Sequence, residues 1–164
     1  MIIPFLLMAA AAVTPPASAP RALDDLSGCW SAPGSVRGTA VTGFARGEWH
    51  LAGNYFMLQL HSGGESRPYS AAIVYGGGES PEDINSYWMD STGGAYATTG
   101  TGHARAGEID VDYAYPDAHY ANRLSRSENG WTWTILENVP GRPARLFAEY
   151  HLSPTSCEHM SAVF

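Results

Sequence analysis

Side chains along this chain change character every second residue. Residues 108–115 are the cleanest stretch: Ile109, Val111, Tyr113 and Tyr115 fall on one face, Glu108, Asp110 and Asp112 on the other. Such a strand is buried on one side and wet on the other, so Asp110 and Asp112 face solvent. Residues 84–90 alternate too and stop at Ser91-Thr92-Gly93-Gly94. Trp88 and Asp90 share one face there, Tyr87 and Met89 the other. Either choice buries an aromatic. Turning Trp88 inward takes Asp90 with it, and a carboxylate so placed needs a partner. Residues 55–61 set Phe56, Leu58 and Leu60 against Tyr55, Met57 and Gln59, with both faces fairly apolar.

The same grammar predicts a short strand at Cys29-Trp30, strands within 38–51 broken near Gly43 or Gly47, and further strands at 69–75, 96–102, 118–126, 131–138 and 145–152. Turn signals separate them: Ala52-Gly53-Asn54, Ser62-Gly63-Gly64-Glu65, Gly76-Gly77-Gly78 with an acidic loop, and Glu128-Asn129-Gly130. Residues 23–26 read as one helical turn with Asp24 near its cap. After residue 28 no segment has a helical period. About nine or ten strands at roughly ten-residue spacing predict an all-β fold, a single antiparallel up-and-down barrel. A β-sandwich is the alternative. Closure also removes edges, which this chain has no lysine to blunt.

Composition agrees with a turn-rich β protein: 164 residues, 45% hydrophobic, 15% charged, 18 glycines and 11 prolines. The net charge of −7 excludes the basic footprint of a nucleic-acid binder and disfavours anionic lipid. Residues 2–13 form an apolar run too short to span a bilayer, and it reads as the hydrophobic part of a signal peptide. Ala17-Ser18-Ala19 fits a small-x-small cleavage site. The expected organisation is a signal peptide and Pro/Ala-rich spacer over 1–22 and a barrel domain over 23–164. The mature chain is then exported, periplasmic or secreted, with no transmembrane segment. Leu26-Ser27-Gly28-Cys29 matches a lipobox, yet Arg21, Asp24, Asp25 and a Pro-rich spacer separate it from the hydrophobic run. These intervening residues place Cys29 in the folded domain, and a lipid-anchored Cys29 at a new N-terminus is the alternative. Export and the absence of metal or redox spacing predict a Cys29–Cys157 disulfide, because first and last strands are neighbours in a closed meander.

Motifs for catalysis are missing from the sequence. There is no Gly-x-Ser-x-Gly elbow, and Ser-x-x-Lys is impossible without lysine. The six histidines are scattered without zinc spacing, and Gly76-Gly77-Gly78 precedes no Lys-Ser/Thr and no helix. No catalytic residue, metal or cofactor is nominated. Trp88 and Asp90 share a face, as do Trp133 and Glu137. Turned inward, they are an apolar lining with polar anchors for a small hydrophobic or amphipathic molecule. Tyr96, Tyr120 and Tyr150 are candidate hydroxyl partners. The structural alternatives are that Asp90 caps the turn at 91–94 and that Glu137 pairs with Arg123 or Arg145. An enzyme using the same cavity and a partner-binding barrel with a filled interior stay open.

Several landmarks occur in order: Leu26-x-Gly28-x-Trp30, Leu51-x-Gly53-x-x-Phe56, Trp88-Met89-Asp90-Ser91, Trp131-x-Trp133 with Glu137, and a closing aromatic strand ending at Tyr150. Together they resemble the bacterial domain of unknown function 1579 family over about residues 23–152. The resemblance implies a calycin, lipocalin-like barrel and no established activity. A related haem-binding barrel opens with Gly-x-Trp-x-Gly. Here Ala32 stands in place of the second glycine, so haem is not assigned.

Overall fold

Alternation sets the strands, and the turns between them decide which end of the molecule each side chain reaches. The computed structural model describes residues 18–63 and 68–160; the apolar run expected to be part of a signal peptide lies outside them. Eleven strands form one antiparallel sheet: β1 (Gly28–Ser31), β2 (Gly34–Val36), β3 (Thr39–His50), β4 (Tyr55–Gly63), β5 (Tyr69–Gly77), β6 (Asp83–Asp90), β7 (Thr98–Arg105), β8 (Glu108–Ala114), β9 (His119–Ser127), β10 (Gly130–Asn138) and β11 (Arg145–Pro154). Each pairs with its neighbour in sequence from β2 to β11. β1 and β2 both pair with β3 on one side and β11 on the other, as two halves of one strand interrupted at Ala32-Pro33. Eleven strands thus fill ten positions and the sheet closes. The barrel is as expected, and closure rules out a sandwich.

Two local expectations fail. β3 runs unbroken for 12 residues through Gly43 and Gly47. These glycines face inward, where a Cβ at Gly43 would lie 2.9 Å from the Ala32 and His61 carbonyl oxygens, and one at Gly47 2.7 Å from the Phe56 ring. They permit close approach of the chain and do not end the strand. Tyr96 lies outside β7, in a 3-10 turn over Gly94–Tyr96, and is 58% exposed.

Inward positions form one core that includes Phe56, Ile73, Tyr75, Trp88, Tyr113, Trp131, Trp133 and Tyr150. Trp88 and Trp133 point inward, and Asp110 and Asp112 lie on the wet face of β8 as the alternation of residues 108–115 predicts. The first end of the barrel holds the turns after β3, β5, β7 and β9. A 3-10 helix, Arg21–Leu26, lies over it with Leu23 and Leu26 fully buried. Indole N–H groups meet this helix: Trp30 donates to the Leu26 carbonyl at 3.0 Å and Trp131 to that of Asp25 at 3.2 Å. Asp24 makes no cap; its carboxylate accepts from the Trp49 indole at 2.7 Å. Ala19 is buried and its N–H donates to the Asn54 carbonyl at 3.0 Å. The predicted Cys29–Cys157 disulfide closes this same end, with a Cα–Cα distance of 5.3 Å. Linking residues 128 apart stabilises the fold by roughly 4–5 kcal/mol in the chain-entropy view.

Candidate functional site

The opposite end, the mouth, holds the turns after β2, β6, β8 and β10. Two sets of paired polar side chains lie there. The first is built on β6. Trp88 and Asp90 are two apart and both face inward, so the indole N–H donates to Asp90 Oδ2 at 3.1 Å. Tyr69, at the start of β5, donates its hydroxyl to the same oxygen at 3.0 Å. Asp90 Oδ1 accepts from the Thr92 backbone N–H at 2.8 Å and from the Thr92 hydroxyl. Asp90 therefore caps the turn after β6 and ties the rim together, which satisfies the carboxylate that the alternation drew inward. Burial, and then the adjacent Asp90 charge, push the Tyr69 hydroxyl far above the usual tyrosine range.

Beneath this rim the rings form a column across the barrel. Tyr113 meets Trp88 edge to face at 5.5 Å, Trp88 lies 6.0 Å from Trp133, and Trp133 lies 5.6 Å from Tyr150. Polar tips are satisfied within the column. Trp133 donates to Asn122 Oδ1 at 3.0 Å, and the Tyr113 and Ser86 hydroxyls are 2.6 Å apart. Burial raises the Tyr150 hydroxyl above its ordinary range, opposed by a bond to Ser62.

The second set surrounds Glu137 near the end of β10. Its carboxylate is buried and accepts from Arg145 Nε at one oxygen and from the Tyr120 hydroxyl at 2.8 Å at the other. Arg37 lies 3.6 Å away. The Arg145 bond outweighs burial and holds the Glu137 carboxyl below its ordinary range, with help from Tyr120 and Arg37. Of the two arginines suggested by sequence, Arg145 is the partner and Arg123 is not. Arg123 points outward from β9 and pairs with Asp112 at 3.1 Å. A β-bulge in β11 opposes Ile135 to Ala148 and Leu136 to Leu146, leaving Phe147 unpaired. The Phe147 ring packs on Tyr120 at 5.2 Å, and Tyr120 on Tyr115 at 5.4 Å.

Trp88, Asp90, Trp133 and Tyr150 thus form one continuous cluster. Glu137 shares the inward face with Trp133 but belongs to the arginine set. Tyr120 is at the rim with its hydroxyl on Glu137, whereas Tyr96 contributes its carbonyl, which accepts from the Tyr115 hydroxyl at 3.2 Å. Sequence reasoning missed Tyr69, Arg37, Asn122 and Phe147. Tyr69 was readable from its alternation with Ala71, Ile73 and Tyr75; the bulge that turns Phe147 had no such signal.

The two ends differ in what is left partly open. Of the partly buried hydrophobics packed against the core among the described residues, Val36, Val41, Tyr69, Tyr115, Tyr120 and Phe147 are at the mouth, and Ala22 and Trp49 are at the other end. Two depressions among the described residues are on the barrel wall and open to solvent. One of about 380 Å³ lies beside Tyr87, Thr99 and Thr101, and one of about 300 Å³ beside Gln59, Ala72 and Met89. Of the five candidate ligand residues only Asp90 borders either. Among the described residues no helix is long and apolar enough to cross a membrane, and no three His, Cys, Asp or Glu side chains gather as a metal site.

No protein-family model and no curated protein matches this sequence. Among solved structures, the fold is similar to that of Rv2717c from M. tuberculosis, with a TM-score of 0.60 over 84% of this chain and 99% of that one. Identity between the two is 11%, so the likeness is one of fold.

Proposed function

We propose that this chain is an exported, non-catalytic barrel that binds a small hydrophobic or amphipathic molecule at its mouth. The observation that carries the reading is the gathering of half-buried aromatic and aliphatic side chains at one end of the barrel. Trp88, Trp133 and Tyr150 form the floor below them. A ligand rests on the rim and this floor, since the column beneath is filled with rings. Asp90 and Glu137 hold the rim in shape. The disulfide, in a chain whose start reads as a signal peptide, supports export. We also propose kinship with the domain of unknown function 1579 family, because Trp30, Phe56, Trp88, Trp133 and Tyr150 among its landmarks are all buried core positions here.

The test is a panel of small amphiphiles followed by thermal unfolding and tryptophan fluorescence. A ligand at about a hundred times its Kd adds roughly 2.7 kcal/mol. A panel that moves neither readout overturns the proposal. A second reading, recognition of a partner protein through the wall, is favoured by Tyr87 and Met89. They are 47% and 44% exposed, side by side on β6, next to the two depressions. Replacing both by glutamate abolishes partner binding on that reading and leaves amphiphile binding intact.

A further inference from the structure

Val36 pairs with Thr39, so Arg37 and Gly38 form a two-residue hairpin turn between β2 and β3. Both have positive φ, 50° and 79°. The first position of such a turn favours Asn, Asp or Gly, and an arginine there sits in left-handed backbone that its side chain disfavours. The turn thereby sets the Arg37 guanidinium on the rim, 5.0 Å over the Phe147 ring and 3.6 Å from Glu137. Its backbone N–H is anchored on the Phe147 carbonyl at 2.7 Å. Arg145 reaches the same carboxylate through Nε alone, which leaves both its terminal amines unspent in that bond. Their side chains are 62% and 61% exposed. Two guanidinium groups therefore share one buried carboxylate, in a chain where acidic residues outnumber basic ones by 16 to 9. Next to them lies the aromatic edge of Tyr115, Tyr120 and Phe147.

We propose that Arg37 and Arg145 receive the anionic head of an amphipathic ligand, a carboxylate, sulfate or phosphate, whose apolar part lies on that aromatic edge. The inference rests on the mouth reading above and names its ligand class. Glu137 orients the two guanidinium groups without using up their donors, and a planar fork suits a head group with two or more oxygens.

The experiment titrates the protein with octanoate, octyl sulfate and octanol, following tryptophan fluorescence. Both anions bind about tenfold or more tighter than the alcohol, and the preference shrinks as salt rises. Inorganic sulfate alone gives no change, because the apolar part is required. Arg37→Asn loses the preference while keeping or raising the unfolding temperature, since asparagine suits the turn. Arg145→Gln loses the preference as well. Equal binding of octanoate and octanol, or an anion preference that survives Arg37→Asn, overturns this inference and leaves the mouth reading standing. Binding of none of the three overturns both.

Discussion

The two ends of this barrel are built from the same inward-facing strand positions and finished in different ways. At the closed end, indole N–H groups of Trp30 and Trp131 are met by backbone carbonyls of the preceding 3-10 helix, and a disulfide fastens β1 to the residues after β11. At the mouth the two inward carboxylates are met mainly by other side chains, Asp90 by Trp88, Tyr69 and Thr92 with one backbone N–H, Glu137 by Tyr120 and Arg145. Backbone and covalent partners fix an end in place. Side-chain partners sit on rotatable bonds and leave hydrophobic surface half open. The comparison places the covalent and backbone fastening at one end, and the proposed recognition surface at the other.

Mutations at the closed end have the largest effect on stability. Cys29→Ala with Cys157→Ala removes roughly 4–5 kcal/mol, read as a lower denaturation midpoint with an unchanged amphiphile affinity for the folded fraction. Next comes Leu26→Ala, which opens a cavity under the helix at a cost of about 2–5 kcal/mol. A loss under about 1 kcal/mol there would mean that the helix is a loose cover. Asp90→Asn at the mouth costs less, about 1–3 kcal/mol, by weakening what the Tyr69 and Trp88 donors meet. Its mark is a changed tryptophan emission, because Trp88 is one of those donors.

The smallest effect is a pH dependence. The folded Glu137 carboxyl is held below its ordinary range, first by Arg145. Its contribution is therefore present above the ordinary carboxylate pKa of about 4.3 and is lost as pH falls through the lower folded value. The difference in unfolding temperature between the native protein and Glu137→Gln should narrow over that acidic window. The arginines are well exposed, so screening keeps the effect modest. A constant difference across the window would mean that Glu137 acts by shape alone.

The closed end was largely legible before any coordinates. Two cysteines in a chain whose start reads as a signal peptide, and a meander that brings first and last strands together, lead to the Cys29–Cys157 bond. Alternation in residues 84–90 and 131–138 puts Trp88 with Asp90 and Trp133 with Glu137 but does not choose the buried face, since either choice on 84–90 buries an aromatic. The mouth was only half legible, because its features depart from simple alternation. Phe147 faces the rim through a bulge, which adds a residue out of period. Arg37 stands in a hairpin position where arginine is a poor fit, so turn chemistry gave no hint of it. Arg123 is excluded as the Glu137 partner by strand face. It is paired across β9 and β8 on the outer side, whereas Glu137 points in. The glycines of β3 signalled close packing and were taken for breaks.

Hydrogen exchange with and without saturating octanoate tests the division between the two ends most directly. Protection is predicted in the mouth turns near Arg37 and Gly38, residues 91–97, residues 115–118 and the start of β11, with the 3-10 helix and its tryptophan strands unchanged. Protection confined to the β4–β7 wall or to the closed end would contradict it.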